Sequence, residues 1–134
     1  TLLELDPAGV LVASSYVYGS ARDWARLGLL LLEQGRFNGE QLLPADWVTR
    51  ATRPNRSDND PRYGYQLWLN AGGAAGLRWP HLPADAYAMQ GNRGQVVMVV
   101  PSRDAVLVRL GWTAGDYPVS SALGALLAAL PGGA

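Results

Sequence analysis

Gly91-Asn92-Arg93-Gly94 is the stretch most suited to chemistry, because two glycines bracket two polar residues between apolar runs. Glycine lets a backbone come close to a ligand, and such a turn can offer it bare backbone N–H groups. On its own spacing the same tetrapeptide is an ordinary hairpin turn. Other candidate groups are few. All eleven basic residues are Arg, the one His is His81, and there is no Cys. Lys bases, Lys Schiff bases, Cys nucleophiles, disulfides and two-His or thiolate metal sites are therefore excluded within this chain. A Ser-His-Asp triad would have to use His81, which stands in Trp-Pro-His-Leu-Pro, the setting of a surface or packing residue. Asp23 and Asp46 stand where they cap helices, which weakens paired-carboxylate catalysis. The sequence holds no G-x-S-x-G, H-E-x-x-H, P-loop or G-x-G-x-x-G motif.

The 134 residues suit one domain, with 49% hydrophobic and 16% charged residues. Net charge is zero with no basic run, so nucleic acid has no electrostatic footprint. No apolar run reaches the roughly 20 residues of a membrane helix, and the N-terminus does not read as a signal peptide. Compartment stays open between bacterial cytoplasm and periplasm. The first residue is Thr rather than Met, which leaves open a start inside a longer protein.

The elements that must position the Gly-bracketed turn are legible around it. Tyr87–Gln90, Gln95–Val100 and Ala105–Trp112 read as three strands, and connections this short force antiparallel pairing. VVMVV and AVLVRLGW are nearly all apolar, which predicts helices on both faces of the sheet. Ser20 to Gly35 reads as a mostly buried helix, with Ser20 and Asp23 as a capping box and Gly35 as its stop. Asn38-Gly39 predicts a hairpin turn, and Pro44 opens a second helix at N1 with Trp47, Val48 and Ala51 facing inward. That helix stops near Thr52, before a solvated and mobile loop over 53–62. Tyr63–Asn70 alternates as a strand, and Pro118–Leu130 is a helix with Val119, Leu123, Leu126, Leu127 and Leu130 on its apolar face. Asp6–Gly9 is a turn, followed by a short strand over Val10–Ala13.

Three blocks in order resemble the C-terminal half of the β-lactamase-related serine hydrolases. That family spans class C β-lactamases, penicillin-binding-protein-like peptidases, family VIII esterases and 6-aminohexanoate-oligomer hydrolases. The blocks are SSYVYGSARDWARLGLLLLEQGRFNGEQLLPADWV (14–48), YGYQLWLN (63–70) and AMQGNRGQVVMVVPSRDAVLVRLG (88–111). The resemblance implies an α+β fold, an antiparallel sheet covered by helices, as the C-terminal part of a β-lactamase/transpeptidase-like domain. Residues 1–134 are then a single partial domain. The family's Ser-x-x-Lys and Tyr-x-Asn motifs are absent and normally lie upstream of Thr1, so the chain is expected to be inactive alone. The family's third motif, Lys- or His-Thr-Gly, aligns with Met89-Gln90-Gly91. Met89 at that position fits the esterase or amide-hydrolase branch better than carboxylate-recognising enzymes.

The resemblance further implies that Gly91 and the backbone N–H of Asn92 serve an oxyanion, while Gln90 and Met89 face substrate. Ser14 and Ser15 match a small-residue turn near the pocket, although plain close packing explains them nearly as well. Trp68, Trp79 and Trp112 read as core or pocket wall. No metal or organic cofactor is implied. The expected partners are a small-molecule ester or amide and the missing N-terminal half, or a second copy of the chain. The rival reading is a non-catalytic binding or assembly module derived from the same fold.

Overall fold

A computed structural model describes residues 1–12, 15–55, 60–72, 74, 76 and 78–131, together with Leu77. In chain order the elements are β1 (Leu2–Leu3), β2 (Val17–Tyr18), α1 (Ala21–Leu32), β3 (Arg36–Phe37), β4 (Glu40–Gln41) and α2 (Ala45–Ala51). They continue with β5 (Trp68–Leu69), β6 (Tyr87–Gly91), β7 (Gln95–Val100), β8 (Ala105–Arg109) and α3 (Val119–Ala129). The central sheet runs β5-β6-β7-β8, every neighbour antiparallel, with Ala88 opposite Met98 and Met98 opposite Leu107.

Period-2 alternation sends side chains to two separate cores. Ala88, Val96, Met98, Val100 and Leu107 face α3, where Leu123 and Leu127 meet them beside Trp79 and Leu82. Tyr87 and Val99 face the other way, into Leu31 of α1, Val48 and Ala51 of α2, and Leu67 and Leu69. The expectation of a sheet covered on both faces is met. Gly28 brings α1 close to the sheet: a Cβ there would lie 2.5 Å from Val106 Cγ1 and 3.2 Å from Val97 Cγ1.

The local signals at α1 are those read from the sequence. Ser20 Oγ accepts from the Asp23 N–H, the Asp23 carboxylate accepts from the Ser20 N–H, and these bonds hold the Asp23 carboxyl below its usual range. Asn38 and Gly39 both adopt positive φ between β3 and β4, as a two-residue hairpin turn requires.

Several expectations are corrected. The α1 helix ends at Leu32, and only Gly28 and Leu31 of it are buried, because the sheet covers a narrower stripe than its leucines offer. Leu27 and Leu29 stay exposed. Gly35, at φ +84°, closes the following turn by donating to the Leu30 carbonyl at 2.7 Å. Pro44 is the N-cap of α2 rather than its first helical residue, and Trp47 points out while Val48 and Ala51 point in. On α3, Leu126 and Leu130 are exposed, and β8 stops at Arg109 rather than Trp112. Instead of a strand over Val10–Ala13 there is a single bridge from Leu5 to Leu11; Ala13 lies outside the described residues.

The Tyr63–Asn70 run is the largest departure. Only Trp68 and Leu69 join the sheet, and the chain doubles back so that Tyr63 bridges Trp68 and the Gly64 N–H donates to the Leu67 carbonyl at 2.8 Å. Gln66 takes φ +61° inside this turn, and Gly64 is pressed so closely on α2 that a Cβ would lie 2.1 Å from the Ala51 carbonyl oxygen. Asp60 anchors the start of the segment through Arg62 Nε at 3.0 Å and Arg78 Nη2 at 3.0 Å, and the Arg78 guanidinium lies 4.1 Å from the Trp68 ring centre. The preceding stretch 56–59 lies outside the described residues.

Side-chain and backbone hydrogen bonds from Arg62, with the Arg78 charge, hold the Asp60 carboxyl at about 2. Because that value lies below the roughly 3.9 of an unfolded aspartate, the stabilisation is present above that pH. It is lost as pH falls from about 4 to about 2. Thermal melts of the parent chain and Asp60→Asn should therefore differ at pH 6 and converge near pH 2. A gap that stays constant with pH would remove Asp60 from the account of acid stability.

Candidate active-site cleft

The β6 strand carries the sequence-predicted residues to one end of the sheet. Met89 is half-buried against the Leu31–Val48 core, so its side chain packs with that core. Gln90 alternates out, and Gly91 is extended at φ −122° and ψ 174°. Asn92–Gly94 then make a kinked turn with two consecutive residues at positive φ, Arg93 at +62° and Gly94 at +80°. Arg93 in this region is unusual for a long side chain and must be held there.

A cleft of about 510 Å³ opens between this turn and the 113–119 segment, with Gln90, Asn92, Thr113, Asp116 and Tyr117 on its walls. What holds the turn is Arg109, the one charged residue in the AVLVRLGW run. Its Nη1 donates to the carbonyls of Arg93 at 3.1 Å and Gly94 at 2.6 Å, its Nη2 donates to Thr113 Oγ1 at 2.5 Å, and its guanidinium lies 3.8 Å from the Tyr117 ring centre. The Thr113 N–H closes the circuit on the Arg93 carbonyl at 3.2 Å. Gln95 ties the base of the turn to Gly111, donating to its carbonyl through Nε2 and accepting its N–H at Oε1. Arg93 itself lies 5.0 Å from the ring centre of Trp112, which is exposed. Among the described residues no carboxylate forms an ion pair with Arg93 or Arg109, and the charged residues lining the cleft are Arg93 and Asp116.

Of the residues singled out from sequence, Gln90 and Asn92 meet in this cleft, and Gly91 joins them along the strand. Met89 does not line it, and neither does Ser15, an exposed residue whose N–H donates to the Val12 carbonyl at 3.0 Å. Ser14 lies outside the described residues. Arg109, Thr113 and Tyr117 were not read as site residues; a lone Arg in an otherwise apolar strand was the available signal. Of the tryptophans, Trp79 is core, Trp68 packs beside it and Trp112 stands at the solvent.

His81 fastens its loop to α3. Its N–H donates to Ser120 Oγ at 3.1 Å, and its Nδ1 lies 3.1 Å from the same oxygen. The loop runs so close to Gly124 that a Cβ there would lie 2.7 Å from the His81 carbonyl oxygen. At the other end of β6 a second cavity of about 250 Å³ is walled by Thr52, Pro54, Leu69, Asp85 and Tyr87. Among the described residues the buried Tyr87 hydroxyl has no hydrogen-bond partner, and burial, then the Asp85 charge, raises its pKa. Among the described residues no cluster of His, Cys, Asp or Glu is arranged to hold a metal ion, and no helix is long and apolar enough to cross a membrane.

No family model matches the chain. No curated protein matches it either. Among solved structures, the chain is similar to the protein named "Putative 6-aminohexanoate-dimer hydrolase" from Bacillus anthracis, with a TM-score of 0.67 and 23% identity. The match covers 94% of this chain and 31% of that one. The fold is β-lactamase-like. Mixed α+β architecture with an antiparallel sheet under helices is thus shared across nearly the whole chain, while the chain spans about a third of the neighbour's length.

Proposed function

We propose that the chain is the C-terminal portion of a serine hydrolase that cleaves an ester or amide through an acyl-enzyme. The observation that carries this reading is the cleft at the end of β6, lined by Gln90 and Asn92 beside the Arg93–Gly94 pair held at positive φ. In this scheme a serine from outside these residues attacks the carbonyl, the Asn92 N–H and the serine's own N–H bind the oxyanion, and the alcohol or amine leaves with a proton. Water then hydrolyses the ester to the acid and restores the serine. Gln90 supplies a hydrogen bond to substrate, Gly91 allows the close approach, and Met89 backs the strand from the core side.

The rest of the domain is the partner in this reading. Leu2, Leu3 and Leu5, the outer leucines of α1, and Trp112 are exposed apolar side chains that a complementary portion would cover. Among the described residues, strand β8 ends the sheet with one edge unpaired, which suits an added strand. The same surfaces also fit the second reading, a non-catalytic module that assembles with itself or another protein.

The test is to recover the protein from its source cell and treat it with a serine-directed phosphonate. A species longer than 134 residues, labelled at a serine outside this chain, is expected. An unlabelled protein of this length would transfer the case to the assembly module. Labelling of a serine within the chain would overturn the assignment of the nucleophile.

A further inference from the structure

We infer that Arg109 is the positioning residue of the cleft, setting the Asn92–Gly94 turn by a geometry that only an arginine supplies. The inference rests on the oxyanion role proposed for the Asn92 N–H, but the clamp itself is a matter of geometry. One guanidinium reaches both carbonyls of the left-handed pair Arg93–Gly94 and also Thr113 Oγ1 on the facing wall. It spans sixteen residues of sequence to do so from Arg109 to Arg93.

The chain makes room for this group at two glycines. A Cβ on Gly94 would lie 2.7 Å from Arg109 Nη1, and a Cβ on Gly111 would lie 2.6 Å from Arg109 Nη2. Tyr117 closes the remaining face of the guanidinium. Charged donors make stronger hydrogen bonds than neutral ones, and the planar fork pre-orders several at once, so the left-handed Arg93 is held where its backbone alone would relax. A lysine in the same place offers a compact point charge on a flexible stem and cannot bond both carbonyls, reach Thr113 and stack on Tyr117 together. Both walls of the cleft therefore depend on one side chain, and the amide of Asn92 takes its direction from the turn that side chain holds.

The test uses Arg109→Gln and Arg109→Lys, with amide hydrogen exchange measured residue by residue. Exchange of the Thr113 N–H should accelerate about tenfold or more in both variants, while Val97–Val99 in the central strand stay protected. Unchanged exchange at Thr113 in either variant overturns the clamp. If both variants lose the fold, Thr113→Val carries the test, since it removes only the Oγ1 acceptor; the amide of residue 113 should then exchange about threefold faster, and no change again overturns the clamp. In the hydrolase as its source cell makes it, both Arg109 variants should lower kcat about tenfold or more with KM within about twofold, lysine giving no rescue. Faster exchange with kcat unmoved would leave the clamp in place and overturn both the oxyanion role of Asn92 and the positioning of it by Arg109.

Discussion

Replacing Asn70 by Leu should remove roughly 3–5 kcal/mol of folding stability, a large share of what a domain of this size possesses. Asn70 is fully buried. Its Nδ2 donates to the carbonyls of Trp79 at 3.2 Å, Leu82 at 3.0 Å and Pro83 at 2.8 Å, and its Oδ1 accepts from the Trp79 N–H at 2.6 Å. Its main chain adds a bond to the Ala86 carbonyl at 2.9 Å and accepts from the Arg78 N–H at 2.9 Å. One side chain thereby satisfies the backbone of a Pro-rich loop that has no ladder of its own. A leucine of similar volume fills the space but removes two N–H donors, shared among the three carbonyls, and one acceptor; at about 1–3 kcal/mol for each of these bonds, taken toward the lower end, the loss is of the predicted size. Trp79 and Leu82 belong to the core beneath α3, so loosening the loop also opens that core. Asn70→Asp should be comparably damaging, because it keeps an acceptor but loses the donor and sets a charge beside three carbonyls. Urea titration reads the effect as a shift in midpoint at unchanged slope. A loss under about 1 kcal/mol would mean water or a loop rearrangement replaces the asparagine.

If the proposed hydrolase reading holds, Asn92→Pro should lower kcat of the full-length protein by about 10²–10³ while leaving its stability near the parent value. Proline deletes one atom group that matters here, the backbone N–H. The site can accept it: Asn92 is not among the positive-φ residues, and Gly91 before it is extended, as a residue preceding proline prefers. Asn92→Ala is the partner variant, because it removes the carboxamide and keeps the N–H. Its kcat should stay within a few-fold of the parent. Equal losses in the two variants would assign the effect to the side chain and withdraw the oxyanion role from the backbone. A large loss of thermal stability in Asn92→Pro alone would instead show that the turn, rather than the donor, was removed.

Residues close together in sequence made most of the architecture readable. Ser20 and Asp23 announce the start of α1 because both partners of a capping box lie within one helical turn. Asn38-Gly39 announces its hairpin because positive φ is a property of those two residues. The β6–β7–β8 meander is legible because short connections leave one pairing direction and apolar strands demand cover on both faces. The α+β class follows from that meander with helices before and after it. Gly91 and Asn92 stand out as candidates by the same local turn chemistry, and Gln90 is a candidate through the family resemblance.

What the tertiary structure alone decided involves partners far apart in the chain. Which leucines of α1 are buried depends on where Gly28 meets Val106, a contact between residues 28 and 106 that periodicity within the helix cannot express. The Tyr63–Asn70 run alternates like a strand, yet the Ala51 carbonyl against Gly64 and the left-handed Gln66 fold most of it into a turn. Asn70 looked like a strand terminus until the Trp79–Pro83 loop closed over it. Arg109 looked like a lone charge on an apolar strand until the Arg93 and Gly94 carbonyls turned toward its guanidinium. Sequence patterns fix elements because the forces that make them act over three or four residues. The cleft is assembled by hydrogen bonds across the fold, and those exist only once the sheet has brought their two ends together.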